Sequence, residues 1–206
     1  MEPCIRYNIR VSNLSIPNRV IVTERTQRHG HAGLIIWFTG LSGAGKSTLA
    51  DALERKLFDQ GRQVYVLDGD WVRKGLCSDL GFSPAARSEN IRRVGEVAML
   101  FANAGVIVIC ACISPMRADR ERLRHLCAPG RFVEVFVNAP LDVCESRDPK
   151  GLYAKARANQ LKDFTGISSP YEPPLHPEVE VRTDKFGIEE CLARLSAVIE
   201  PCLRTN

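Results

Sequence analysis

The run "LIIWFTGLSGAGKSTLADAL", residues 34 to 53, constrains the fold more than any other part of the chain. An apolar block ends at Phe38, a glycine-rich loop follows, and Leu49 and Leu53 then begin a helical spacing that Leu57 continues. The loop "GLSGAGKST" fits G-x-x-x-x-G-K-[ST] through Gly40, Gly45, Lys46 and Ser47. Glycines there let backbone amides turn onto phosphate oxygens, the lysine brings charge to the outer phosphates, and the serine hydroxyl suits magnesium. Strand, loop and helix in this order predict that Gly40, Leu41, Ser42, Gly43, Ala44, Gly45, Lys46, Ser47 and Thr48 hold a nucleoside triphosphate.

The rest of the chain repeats the alternation. Residues 34 to 38, 63 to 67, 106 to 110 and 132 to 137 are strand-like apolar runs, with a weaker candidate at 179 to 182. Helical patterns fall between them. Ser83 and Pro84 form a cap and first-turn pair for a helix running to about Ala104, and further helices fit 116 to 127 and 188 to 200. The expected fold is therefore α/β, a central parallel sheet with helices on both faces, which places ligands at the carboxyl ends of the strands. Residues 34 to 206 are expected to form one domain. Residues 1 to 33 show no clear periodicity and are read as an amino-terminal arm, while the long polar stretch 147 to 177, punctuated by glycine and proline, is read as a lid.

Composition narrows the classes. The charge of +4, from 28 lysines and arginines against 24 acids, is too small to predict a nucleic-acid surface but suits a small anion. No apolar run reaches the roughly 18 to 20 residues that span a bilayer, and the first thirty residues lack a secretory apolar block, so the expectation is a cytoplasmic protein without a membrane partner. The eight cysteines contain no C-x-x-C pair and are expected to be buried or inert thiols.

The end of the second strand carries "VLDGDWVRKGLCSDLGF", with Asp68 and Asp70 around one glycine and Arg73 three residues on. This turn should share an edge with the phosphate loop. One acid can then hold magnesium or its water shell while the other accepts the proton of an attacking hydroxyl. At the start of the long helix, Arg87 and Asn90 project within about 60 degrees of each other. With Arg73 nearby, an anionic acceptor is expected, because guanidinium groups match phosphate and sulfate oxygens.

Six ordered blocks now show a resemblance. "IWFTGLSGAGKST", "LDGDWVRKGL", "LGFS" with "RSENIRRVGEVA", "ISPMRADR", "VFVNAPLDVCESRDPKGLYAKAR" and "DFTGISSPYEPP" are similar to the adenylylsulfate kinases, a P-loop kinase family, over roughly residues 35 to 175. The resemblance implies transfer of phosphate from ATP, with magnesium, to the ribose 3'-hydroxyl of adenosine 5'-phosphosulfate in sulfate assimilation. It further implies catalysis by Lys46, Asp68 and Asp70, with Ser47 and Asp70 at the metal. Arg73, Arg87, Asn90, Ile113 and Ser114 would bind the acceptor, and Phe82 and Phe164 would enclose its adenine. Arg147 would lie near the ATP base and Lys150 near the anions. A homodimer and an association with ATP sulfurylase are implied on the same ground. Trp71 departs from the family pattern, which often has Asn after D-G-D. A GTP switch is disfavoured by the absence of N-K-x-D.

Overall fold

Strand β1 (Leu34–Thr39) is buried along its whole length and sits in the middle of the sheet. Its side chains alternate between two cores, as the two-residue period of a strand requires. Leu34, Ile36 and Phe38 join the cluster that contains Leu49, Leu53 and Leu57 of α2 (Lys46–Asp59) and Leu195 and Ile199 of α8 (Ile188–Leu203). Ile35 and Trp37 point the other way, to Ile91, Val94 and Ala98 of α4 (Pro84–Asn103) and Leu123 of α5 (Arg117–Leu126). A strand covered on both faces has no polar side to show, which is why it reads as an unbroken apolar run.

The computed structural model describes residues 20–204. Its other strands are β2 (Val64–Asp68), β3 (Ile107–Ala111), β4 (Phe132–Asn138) and β5 (Val179–Arg182), and the sheet is parallel throughout in the order β2-β3-β1-β4-β5. The register aligns Phe38 of β1 with Ala111 of β3 and Val135 of β4, and Asp68 of β2 with Ala111. The carboxyl ends of β1, β2 and β3 therefore open on one edge, where the chain reverses from one side of the sheet to the other. Helix α4 begins as expected, with Pro84 in its first turn and the Ser83 hydroxyl accepting from the Ala86 amide at 3.3 Å. Among the described residues no helix is long and apolar enough to cross a membrane, and the seven cysteines described are free thiols.

Two readings of the sequence change. The arm is not irregular throughout: Val22–His29 is a helix, α1, closed by Gly30 in the left-handed conformation. None of its residues is buried, so it carries no apolar stripe for a sequence reading to find. Residues 1–19 of the arm lie outside the described part. The lid is not loop alone either, because α6 (Leu141–Arg147) leads into it and α7 (Leu152–Arg157) lies within it. Tyr153 and Ala156 of α7 are buried in the larger core, so the middle of this polar stretch is anchored to the body of the protein. The remaining short helix, α3 (Gly69–Lys74), follows β2 directly.

Candidate active site

The glycine-rich loop is held from behind through its carbonyls. Tyr153 donates to Ser42 O at 2.9 Å, Thr183 Oγ1 to Ala44 O at 2.7 Å and Arg147 to Gly43 O at 3.3 Å. That leaves its amide side for an anion. Gly40 permits the tight turn: its φ is +154°, and a Cβ there would come within 2.3 Å of the Val137 carbonyl. The Lys46 ammonium donates to the carbonyls of Gly40 at 3.0 Å and Leu41 at 2.7 Å, across the mouth of the loop.

Burial lowers the Lys46 pKa to about 8. A triphosphate brought beside the ammonium raises that value again, so the complex holds more protons than the free protein. Affinity for ATP should be full below pH about 8 and fall as the pH rises above it, with proton uptake on binding. Calorimetry in buffers of different ionisation enthalpy checks this, and a nucleotide affinity that is flat between pH about 7 and about 9.5 would refute it.

The two acids of the D-G-D turn separate. Asp68 ends β2 and caps α3: one of its oxygens accepts from the Asp70 amide at 2.8 Å, and the other from the Ser47 hydroxyl at 2.7 Å. Asp70 lies one step into α3, turned to the cleft, where its carboxylate pairs with Lys150. The expected metal pair was Ser47 with Asp70. The structure puts Asp68 against Ser47, because the β2–β3 register carries the end of β2 to the phosphate loop. Hydroxyl and carboxylate oxygens side by side are the hard donors that magnesium accepts, so the residues fit that ion.

Across the cleft stand the residues expected to bind the acceptor. The Arg73 guanidinium lies 4.5 Å and that of Arg87 5.7 Å from the centre of the Phe82 ring, which is 59% exposed. Arg73 also donates to Gly81 O at 3.1 Å. Arg87 reaches the Phe82 carbonyl at 2.8 Å and, in the lid, Thr165 Oγ1 at 3.1 Å and Asp163 O at 2.7 Å. Its pKa is lowered by burial and by the charge of Arg73. Asn90 is only 4% exposed, yet its Oδ1 has no hydrogen-bond partner although the residue lines the cleft.

Other expected residues take unexpected surroundings. Phe164, expected to enclose the acceptor's adenine, is 8% exposed and meets Tyr153 edge-on with ring centres 5.0 Å apart. It belongs to the edge of the core and to the cleft wall at once. The Ser114 hydroxyl accepts from the Trp37 indole at 3.0 Å, so this side chain is already engaged, although Ile113 and Ser114 both line the cleft. Arg147 also donates to the Thr183 carbonyl at 2.7 Å, placing it beside the loop and the end of β5, the edge strand opposite β2.

Loop and expected acceptor residues line one cleft of about 1130 Å³, slightly above the roughly 300 to 1,000 Å³ of an ordinary small-molecule site. The sequence reading missed Thr183, Phe186 and Ile188, which close its far end from the turn after β5. The rule that ligands gather at the carboxyl ends of strands, applied to the weak strand at 179 to 182, would have found them.

Residues 32–182 match the family described as adenylylsulphate kinase. The chain belongs to that family. The adenylyl-sulfate kinase of Geotalea daltonii is 58% identical over 186 residues, covering 88% of this chain and 92% of that one. The enzyme of the same name from Prochlorococcus marinus is 55% identical, covering 94% of each. A solved structure of the Mycobacterium tuberculosis APS kinase, in complex with AMPPNP and APS, superposes with a TM-score of 0.79 at 48% identity, covering 82% of this chain and 98% of that one.

Proposed function

We propose that the chain transfers the terminal phosphoryl group of ATP to the ribose 3'-hydroxyl of adenosine 5'-phosphosulfate, giving ADP and 3'-phosphoadenylyl sulfate for sulfate assimilation. One observation carries the reading: Asn90, Arg73, Arg87 and the exposed Phe82 line the same cleft as the phosphate loop. A purine, an anion and a hydroxyl held there lie opposite the triphosphate.

The chain's residues divide the work. Lys46 leaves the Gly40 and Leu41 carbonyls for the phosphates and stabilises charge as the terminal group passes between oxygens. Asp70 exchanges Lys150 for the acceptor, takes the 3'-hydroxyl proton and orients the oxygen for in-line attack; the lysine it releases turns to the phosphates. Arg147 and Thr183 bound the ATP base from beyond the loop. Ser47 and Asp68 would hold magnesium, which when bound neutralises the triphosphate beside these acids. The lid, tied to α4 by Arg87, excludes water that would otherwise hydrolyse ATP. A homodimer in the cytoplasm, working beside an ATP sulfurylase that supplies the acceptor, belongs to the same reading and rests on the family resemblance.

A coupled assay for ADP tests it. Release should depend on both adenylylsulfate and magnesium. Equal release with shikimate or gluconate would assign the cleft to a different small-molecule kinase on the same fold.

A further inference from the structure

Behind the acceptor wall lies a buried cation that phosphoryl transfer does not require. Arg120 on α5 is 1% exposed, and all three guanidinium nitrogens are engaged. Nε donates to Glu134 of β4 at 2.7 Å, Nη1 to the Ser114 carbonyl at 2.6 Å and Nη2 to the Glu172 carbonyl at 2.7 Å. Glu134 is 3% exposed, and its second oxygen accepts from Arg124 at 3.1 Å. Burying such a pair is seldom the most stabilising choice, since apolar residues of equal volume often do as well or better. The geometry of what the fork holds is therefore the more informative fact.

It holds two segments that the sequence keeps more than fifty residues apart. The first is the turn after β3, where Ser114 has a φ of +40°, a left-handed conformation costly for a residue with a side chain. That conformation survives because neighbours over-determine it: Trp37 donates to the Ser114 hydroxyl, Thr39 Oγ1 to the Ile113 carbonyl at 2.8 Å, and Arg120 to the Ser114 carbonyl. The second is the end of the lid. The Glu172 amide donates to Pro115 O at 2.9 Å, its carboxylate accepts from the Arg117 amide at 2.7 Å, and the Tyr171 hydroxyl lies 3.0 Å from Thr39 Oγ1. Within the network Arg120 alone puts two arms of one planar group on both segments.

We infer that Arg120 is a positioning residue for the acceptor. Its fork fixes the strained Ile113–Ser114 turn against the returning end of the lid, so that acceptor seat and lid root keep one relative placement. The inference rests on the reading of this side of the cleft as the adenylylsulfate site. A lysine would keep the charge opposite Glu134 but lacks the fork.

The test compares Arg120→Lys, and the double variant Arg120→Met with Glu134→Gln, against the unmodified protein. The double variant leaves no lone buried charge and so guards against failure to fold. Melting temperature, both KM values, kcat and calorimetric affinities for adenylylsulfate and a non-hydrolysable ATP analogue are measured. In a folded variant the KM for adenylylsulfate should rise about tenfold or more, in line with misplacement by a fraction of an ångström, while affinity for the ATP analogue changes by less than about twofold. ADP release without acceptor should rise relative to coupled turnover. An unchanged acceptor KM, or equal loss for both nucleotides, would reduce Arg120 to a structural residue. If the unmodified protein instead prefers another acceptor, the reading of the site fails, and the clamp is judged by the same ratio of KM values measured with that acceptor.

Discussion

Asp70→Asn and Lys46→Ala are each expected to lower turnover at least about a hundredfold while circular dichroism stays that of the unmodified protein. The two losses have different origins. Asp70 is largely exposed, and among the described residues its side chain pairs only with Lys150, so the amide removes a proton acceptor and an ion pair but no packing. Surface pairs of this kind contribute about 0 to 1 kcal/mol to stability, which leaves the fold intact. Near-normal turnover in folded Asp70→Asn would make Asp70 a turn acid and nothing more. Lys46→Ala removes charge from the transferring group and from the phosphates that the loop cradles, so nucleotide affinity should fall along with turnover. Asp68→Asn separates the acids further: it should raise the magnesium concentration needed for half-maximal rate, which Asp70→Asn should leave nearly unchanged. The reverse pattern would return Asp70 to the metal.

The separation of the acids marks where sequence reasoning stops. The phosphate loop, the five strands and the long helix were legible because each is local: a motif with fixed spacing, an apolar run buried on both faces, a cap followed by proline. Which acid meets Ser47 was not local, since it depends on the register of β2 against β3, and nothing in "LDGD" records that register. Helix α1 escaped notice because none of its residues is buried, and α7 because its two buried residues sit among charged ones. Nothing in the spacing of residues 116 to 127 sets Arg120 apart from the other arginines of that helix. Only the fold brings Glu134, Ser114 and Glu172 around it.

The same limit governs the two phenylalanines, and it decides how the pair should be tested. Phe82→Ala removes an exposed ring flanked by Arg73 and Arg87, so it should leave the melting temperature unchanged and weaken adenylylsulfate binding about five- to a hundredfold, the worth of a base stacked on an aromatic face. Phe164 cannot be treated alike. It packs on Tyr153 inside the core, where truncation to alanine costs about 3 to 5 kcal/mol of stability and would blur any loss of binding. Phe164→Leu is the cleaner change, because it keeps most of the buried volume and discards the aromatic face. Adenylylsulfate affinity should fall in this variant too, while affinity for ATP measured without acceptor stays near that of the unmodified protein. ATP is spared because Arg147 and Thr183 follow β4 and β5, on the other side of β1 in the sheet from β2, whose end leads to Phe82. If calorimetry shows ATP weakened as much as adenylylsulfate, the aromatic pair belongs to the other nucleotide. If Phe164→Leu binds both as before, Phe164 is core alone, and Phe82 with the arginines must hold the acceptor base unaided.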